Sequence, residues 1–327
     1  MTMSDLPSTG LHFPGFHHLT AVSADIRENK RFYTQDLGMR LIKRSVNQDD
    51  VSAYHLFYAD AVGTPGTDLT FFDWPVERER RGNHAVTRTA LRVRDEASLS
   101  YWQSRLDDLK ITRGELTERA GRATLNFEDP EGQRLSLVAD GGAGDEPTPW
   151  AQSPVPAEHQ IRGLGPITMT VPSLRNTDVV LQKVMNLRPV REYADPESPA
   201  HMVHVYEMGA GGPQAELHVA VRPDLAPAQS GAGGVHHVAF RTPDDDQYHA
   251  WNERLNSFGL RSSGEVDRYY FRSLYFREPN GVLFEIATDG PGFGVDEDMA
   301  TLGDKVILPP RFESRRAQIL AGLKPID

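Results

Sequence analysis

Two pairs of adjacent histidines lie in two similar segments of the 327-residue chain. The segments read GFHHLT over 15–20 and GVHHVA over 234–239, so glycine and an apolar residue precede each pair. Imidazole is the commonest metal ligand in proteins and also serves as a general acid or base. Because the chain contains no cysteine, any bound metal must be held by nitrogen and oxygen atoms.

One acidic residue, Glu285, interrupts the apolar pattern VLFEIA over 282–287. Side chains alternate between the two faces of a strand, so only one histidine of each pair can face a given cavity. The apolar neighbours mark the packed face, which places His18, His237 and Glu285 together on the open face. Such a triad suits iron(II), with manganese(II) as a substitute. Hydrogen-bonded core histidines are the alternative, but a buried, unpaired carboxylate is costly without a cation.

The histidine segments open two of four copies of a repeat, each with one strand, one helix and three further strands. The copies begin near Phe16, Val86, Leu164 and Val235. Such self-similarity indicates repeated modules. The pattern predicts an α+β fold in which four tandem βαβββ modules form two paired-module half-barrels.

The ligands must all approach one metal ion, so the two modules that carry the histidines must face each other, either within one chain or between two subunits. We therefore expect module 1 (12–74) and module 4 (232–290) to form the metal-binding barrel. Module 2 (82–140) and module 3 (162–222) then form a barrel without metal, 141–161 is a linker, and 291–327 is a C-terminal tail.

The inner modules lack the triad. Residues 128–140 align without gaps with 277–289, which puts Ser136 at the position of Glu285. In module 2, Arg88-Thr89 aligns with the paired histidines of modules 1 and 4. Glu216 also ends a module, but module 3 opens without a histidine, so we interpret Glu216 as structural.

Composition limits the classes of protein to consider. A hydrophobic content of 39% is enough to bury an ordinary core, and the chain contains no apolar run long enough to span a bilayer. The N-terminal residues do not have the pattern of a signal peptide, so we expect a cytoplasmic protein. A formal charge of -11 disfavours nucleic acid and anionic membranes as partners. The sequence leaves a homo-oligomer open.

At these residues the chain resembles the vicinal oxygen chelate superfamily, whose members are built from paired βαβββ modules. More narrowly, it resembles the hydroquinone and chlorohydroquinone ring-cleaving dioxygenases over nearly its whole length. The resemblance is carried by GFHHLTAV, YHLFYADAVGTPGT (54–67), GVHHVAF, DRYYFRSLYFREPNGVLFE (267–285) and GFGVDEDMATLG (292–303). It implies iron(II) as the cofactor, with a small aromatic compound and O2 as substrates.

Carried over residue by residue, the resemblance assigns metal ligation to His18, His237 and Glu285, in agreement with the strand alternation. It implies catalytic roles in the pocket for Arg268 and Tyr275. It also implies that three neighbours support the ligands, namely His17, Thr20 and His236.

Two other functions remain open. A glyoxalase-type metal isomerase would use a fourth protein ligand on the last strand of module 1. That strand, DLTFFD over 68–73, offers only Thr70 or flanking acids, which favours the open triad. A non-catalytic protein that binds an aromatic compound, as resistance proteins of the superfamily do, would not need an intact triad.

Overall fold

The computed structural model describes residues 10–326, which form sixteen strands in four groups. The strands are β1 (Phe16–Ser23), β2 (Arg40–Val46), β3 (Tyr54–Ala59), β4 (Asp68–Asp73), β5 (Ala85–Val93), β6 (Arg113–Arg119), β7 (Arg122–Glu128), β8 (Arg134–Ala139), β9 (Leu164–Val171), β10 (Arg188–Asp195), β11 (Ser198–Glu207), β12 (Glu216–Val221), β13 (Val235–Thr242), β14 (Val266–Asp267), β15 (Phe271–Arg277) and β16 (Leu283–Pro291).

One helix follows the first strand of each group, and a fifth lies near the C-terminus. These are α1 (Ile26–Arg31), α2 (Glu96–Asp108), α3 (Arg175–Val179), α4 (Asp245–Ser257) and α5 (Arg316–Gly322). Helices α1 and α3 continue as π-helical turns, Phe32–Asp36 and Val180–Val184. Short 3₁₀ segments are Ala157–His159, Pro213–Ala215, Phe293–Val295, Met299–Thr301 and Pro310–Arg315.

The strands form two curled eight-stranded sheets within the described residues. One sheet, called the outer sheet because it contains the first and last strand groups of the chain, has the order β14-β15-β16-β13-β1-β4-β3-β2. The other, called the inner sheet, has the order β10-β11-β12-β9-β5-β8-β7-β6. The first and fourth strand groups therefore share one sheet, and the second and third share the other. The predicted fold class, α+β with four tandem modules in two paired half-barrels, is confirmed.

At the centre of each sheet, the first strands of its two strand groups pair with each other in antiparallel orientation. In the outer sheet β1 pairs with β13, and Thr20 lies opposite His237. In the inner sheet β5 pairs with β9, and Arg88 lies opposite Thr168. The outer junction joins parts of the chain that lie more than two hundred residues apart, as in the contact between His18 and His237.

The helices cover the convex faces of the sheets with apolar side chains. Trp102 of α2 and Trp251 of α4 are fully buried, and the ring of Trp251 stacks on Phe13 at 4.2 Å. Both helices begin at an aspartate, Asp95 or Asp244, whose carboxylate accepts a hydrogen bond from the backbone three residues later. Such a cap satisfies one of the free N–H groups at the helix start. The opposite face of the outer sheet carries a smaller apolar cluster, which includes Phe57 and Phe271, together with the side chains that line a cavity.

The C-terminal tail folds back over the outer sheet. Lys43 of β2 is fully buried and forms ion pairs with Asp296, at 2.7 Å, and with Glu297. Tyr270 donates a hydrogen bond to Asp296 at 2.9 Å. Gly303 has φ +80° and lies so close to the carbonyl of Leu41 that any Cβ would clash with it. The tail is therefore fixed against β2 and against the segment that precedes β15.

Residues 141–161 also pack on the body of the protein, since Val155 is buried and the backbone N–H of Thr148 donates to Asp60. No helix among residues 10–326 is both long enough and apolar enough to cross a membrane.

Candidate metal centre

Three adjacent strands, β16, β13 and β1, bring His18, His237 and Glu285 together. The Nε2 atom of His18 lies 3.3 Å from Nε2 of His237, and Oε2 of Glu285 lies 3.2 and 2.8 Å from these two nitrogens. The three side chains are 2%, 4% and 0% exposed. They are the only group of three metal-ligating side chains found in the described part of the chain whose donor atoms all lie within 4.8 Å of one another.

The register of the strands explains this convergence. Ala239 lies opposite His18 across the β1–β13 pair and beside Glu285 across the β13–β16 pair. His237 is two residues before Ala239 and so shares its face. One face of the sheet therefore presents all three donors. Sequence alternation predicted this arrangement.

The Glu285 carboxylate is held on one side only. Its Oε1 accepts a hydrogen bond from Ser273, whereas Oε2 is buried and accepts no hydrogen bond of ordinary geometry from the described residues. Although burial favours the neutral acid, His18 and His237 hold the pKa of Glu285 well below its usual range. Burial lowers the pKa of His237, so its imidazole is neutral at physiological pH. An anionic oxygen and two imidazole nitrogens directed at one point fit a divalent cation.

The first histidine of each pair supports the second. Nδ1 of His17 lies 2.8 Å from Nδ1 of His18, and Nδ1 of His236 lies 2.7 Å from Nδ1 of His237. Burial, together with the smaller effect of the neighbouring histidine in each pair, lowers the pKa of His17 and of His236 to about 3. These rings are therefore neutral, and each fixes the orientation of the ring that follows it.

Thr20 lies beside this cluster and forms part of a short hydrogen-bonded chain. Its hydroxyl is 2.8 Å from that of Thr70 on β4, which in turn is 2.9 Å from Nε2 of His55. The position on β4 that corresponds to Glu285 on β16 is thus occupied by Thr70, a hydroxyl already engaged by two neighbours.

Arg268 and Tyr275 line the same cavity as His18 and His237. The Nε of Arg268 donates to the Tyr275 hydroxyl at 3.2 Å, and its guanidinium forms an ion pair with Asp49 at 2.9 Å. Tyr275 lies opposite Glu285 in the β15–β16 pair. Burial raises the pKa of Tyr275, and the charge of Glu285 raises it further, so the phenol remains protonated.

Sequence reasoning missed three residues of this site: His55, Asp49 and Ser273. His55 is a third histidine on the cavity wall, and burial keeps its pKa well below the usual value. The alternation in YHLFY (54–58) could have placed His55 on the open face, and that in FRSLYFR (271–277) could have placed Ser273 beside Tyr275. Asp49 lies in a loop, where alternation gives no signal.

One alignment from the sequence is wrong by a single residue. In the inner sheet Ala90 lies beside Ser136, just as Ala239 lies beside Glu285 in the outer sheet. Thr87-Arg88, and not Arg88-Thr89, therefore takes the place of the paired histidines, and Arg88 corresponds to His237. The error arose because module 2 has no histidine pair to anchor its alignment, and a shift by one residue exchanges the two faces of a strand.

Glu216 of the inner sheet is engaged by cations of the protein itself. Its carboxylate accepts hydrogen bonds from Arg122 at 2.6 and 2.8 Å and from Arg191 at 2.7 Å, and Nε2 of His218 lies 3.0 Å from it. These contacts leave the carboxylate fully engaged, in accordance with its interpretation as structural.

The model of the Glyoxalase/Bleomycin resistance protein/Dioxygenase superfamily matches residues 15–137 and 163–286. The chain belongs to this superfamily. Each match spans two of the four strand groups, and together they cover both sheets. The resemblance inferred from the sequence is thus confirmed.

Full-length relatives narrow the class further. The chain is 44% identical over 314 residues to MhqA of Bacillus subtilis, provisionally named a ring-cleaving dioxygenase, with 96% of this chain and 99% of MhqA covered. It is 30% identical over 315 residues to the chlorohydroquinone/hydroquinone 1,2-dioxygenase of Sphingobium indicum, with 94% of each chain covered. The predicted enzyme class, a ring-cleaving dioxygenase, is confirmed by these relatives.

Solved structures agree with the architecture. A crystal structure of a protein provisionally described as a dioxygenase, from Bacillus subtilis, superposes with a TM-score of 0.88 at 34% identity, covering 97% of this chain and 98% of that one. Glyoxalase I from Zea mays superposes with a TM-score of 0.61 at 15% identity, covering 84% and 92%, which shows a shared fold alone.

Proposed function

We propose that the protein is an iron(II)-dependent, extradiol-type dioxygenase that cleaves the ring of hydroquinone or substituted hydroquinones with O2. The observation that carries the proposal is the buried triad of His18, His237 and Glu285, whose Oε2 atom accepts no hydrogen bond of ordinary geometry from residues 10–326. The full-length relatives support the reaction class, and the name of the Sphingobium indicum enzyme supports the hydroquinone substrate. In this proposal modules 1 and 4 form the catalytic unit, and modules 2 and 3 support it.

Nε2 of His18, Nε2 of His237 and Oε2 of Glu285 are the atoms that would hold the metal. Iron(II) is the metal typical of two histidines and one carboxylate with open positions, and manganese(II) is the expected substitute. When bound, iron(II) would supply a redox-active centre through which electron density could pass from a phenolate substrate to O2.

The paired histidines set the tautomers that ligation requires. For Nε2 of His18 to offer a lone pair, its Nδ1 must carry the proton and donate it to Nδ1 of His17. The same argument applies to His237 and His236, because the two contacts are alike. Outer partners of this kind orient a ligand ring and strengthen its lone pair.

Tyr275 and Arg268 are suited to handle the distal part of the substrate. Arg268 donates to the Tyr275 oxygen, so the phenolic O–H of Tyr275 remains available to a substrate oxygen in the cavity. The raised pKa of Tyr275 keeps that proton in place. Asp49 fixes the guanidinium, which can then stabilise negative charge that develops on the ring oxygen.

This arrangement explains why a hydroquinone is the proposed substrate. Its two hydroxyls are para to each other, so only one can reach the triad. The pocket must hold the other hydroxyl to orient the ring, and Arg268 and Tyr275 on the same cavity wall provide polar groups for it. A catechol, by contrast, can chelate one metal through both of its oxygens.

Oxygen-electrode kinetics of the anaerobically iron-loaded enzyme test the proposal on matched pairs of hydroquinones and catechols. We expect higher kcat/KM for each hydroquinone. Tyr275→Phe should narrow the ratio by roughly two- to tenfold, for the loss of one neutral hydrogen bond, and Arg268→Ala by roughly tenfold or more, for the loss of a charged donor. Tyr101→Phe in α2 is the matched control, because the Tyr101 ring stacks on His159 in the inner half of the protein, outside this cavity.

Three results would contradict the proposal. A clear preference for catechols would place the protein among the general extradiol enzymes. Isomerisation of a thiohemiacetal without O2 uptake would identify a glyoxalase-type enzyme. Tight binding of phenols by the iron-loaded protein with no O2 uptake would identify a binding protein.

A further inference from the structure

The inner sheet encloses a second concave site at the position that corresponds to the metal centre. Arg88 replaces His237 there, and Ser136 replaces Glu285. Pro166 takes the place of His18, since Thr168 opposite Arg88 corresponds to Thr20 opposite His237. A guanidinium thus occupies the place of a metal ligand. The site carries a fixed positive charge where the outer site has donors for a cation.

A cavity of about 200 Å³ adjoins this position and has an excess of positive charge. Five arginines and two acidic residues line it. Arg81 also pairs with Glu128 and Arg222 with Asp224, both outside the lining, so two of the five arginines are left without a carboxylate in the described chain. The arginines are Arg81, Arg88, Arg119, Arg134 and Arg222, and the acids are Asp195 and Glu197. This contrasts with the chain as a whole, whose formal charge is -11.

Two of these arginines lack a carboxylate partner among the described residues. The guanidinium of Arg134 makes no hydrogen bond or ion pair with residues 10–326, and Glu79 and Glu197 act on it only at longer range. Arg119 donates only to the hydroxyl of Tyr193, at 3.2 Å. Burial lowers the pKa of both Arg88 and Arg134, and the positive charge of a neighbouring arginine lowers it further. Crowded, partly buried guanidinium groups of this kind destabilise a fold unless an anion lies between them.

Neutral donors complete the cavity. Thr87, Thr168 and Thr170 line it, and the hydroxyls of Thr87 and Thr170 lie 2.7 Å apart. Hydroxyls and planar guanidinium groups together bind the oxygens of carboxylates and phosphates well, because arginine can donate two parallel hydrogen bonds to either.

We infer that this cavity is a binding site for a small oxyanion with two negative charges. A phosphate ion and a short dicarboxylate share this chemistry, and either fits a volume of this size. The site is separate from the triad and does not depend on its occupant. An anion bound there would neutralise the guanidinium cluster and stabilise the inner half-barrel.

Thermal unfolding of the full-length protein tests the inference with sodium phosphate and with sodium succinate as separate probes. Ionic strength is held constant with sodium chloride, and neutral succinamide serves as the uncharged control. We expect a saturable rise in Tm with phosphate, succinate or both, and none with succinamide. The same rise in Glu285→Gln would exclude the metal centre as the binding site. A rise with only one probe would identify the source of the anion.

Arg134→Met gives the decisive comparison. Removing an unpaired charge should leave the ligand-free Tm unchanged or higher, while anion affinity falls by at least about tenfold. Arg261→Met is the matched control, since Arg261 is exposed and lies outside the cavity. Absence of a saturable rise with either anion in the wild type, or an unchanged rise in Arg134→Met, would overturn the inference.

Discussion

Replacing Glu285 with glutamine removes the anionic donor of the triad and preserves its shape. The side chain is fully buried, and its Oε2 lies 2.8 and 3.2 Å from the two imidazole nitrogens, so the amide fits without repacking. Loss of a partner outside the ligand shell already weakens metal binding by about 10- to 100-fold, so loss of a ligand should cost at least 100-fold. We therefore expect Glu285→Gln to fold but to lose most of its iron.

The magnitude can be expressed as a shift in Tm. At a free metal concentration 100 times the wild-type Kd, binding stabilises the protein by about 2.7 kcal/mol. A Kd 100-fold weaker leaves about 0.4 kcal/mol at the same concentration. For a chain of 327 residues the unfolding entropy converts these values into shifts of about 4 °C and about 0.6 °C.

The assay is a thermal scan with and without anaerobically added iron(II), combined with elemental analysis. The matched control is Glu216→Gln, because Glu216 is an equally buried carboxylate in the inner sheet. That variant should lose stability by leaving Arg122 and Arg191 unpaired, yet it should keep the full metal-induced shift. Equal metal content and equal shifts in wild type and Glu285→Gln would refute the ligand assignment.

Two further predictions concern buried neighbours of the site and of the core. His17→Ala and His236→Ala should still bind iron at saturation, but with an affinity lowered by about tenfold, because each variant loses only the partner that orients a ligand ring. Titration with a competing chelator measures this affinity. Complete loss of iron in either variant would shift the ligand assignment by one residue. Burial raises the pKa of Asp129 to about 6 in the folded protein. Below its unfolded-state pKa, near 4, the group costs no stability; the cost grows as the pH rises and reaches its full value above about pH 6. Asp129→Asn should therefore gain up to about 3 kcal/mol in free energy of unfolding relative to wild type between pH 4 and pH 7, measured with urea, and a difference independent of pH would contradict this.

The sequence predicted the grouping of His18, His237 and Glu285 better than it predicted the surroundings of that group. The positions of His18, His237 and Glu285 followed from alternation along strands, a rule that depends only on local geometry. The ion pairs of Lys43 with the tail could not be predicted, because a loop and a strand approach each other there without any periodic signal. The π-helical turn at Phe32–Asp36 was also missed, since its spacing is close to that of an α-helix. The role of Ser273 depends on its contact with Glu285, which only the folded structure defines.

The central junction of the outer sheet affects how the chain can fold during synthesis. Strand β1 has β4 on one side soon after it leaves the ribosome, but its other edge stays unpaired until β13 is made. His18 and His237 are 219 residues apart, so at ordinary translation rates this edge waits on the order of 10 to 40 s.

The free edge of β5 in the inner sheet stays unpaired for a much shorter time during synthesis. Its partner β9 is closer in sequence, as the pairing of Val86 with Met169 shows. An exposed edge can pair with another chain and aggregate. Because the triad is built from the two ends of the chain, its three side chains can meet only after β13 and β16 have been made, so this cluster is assembled late in synthesis.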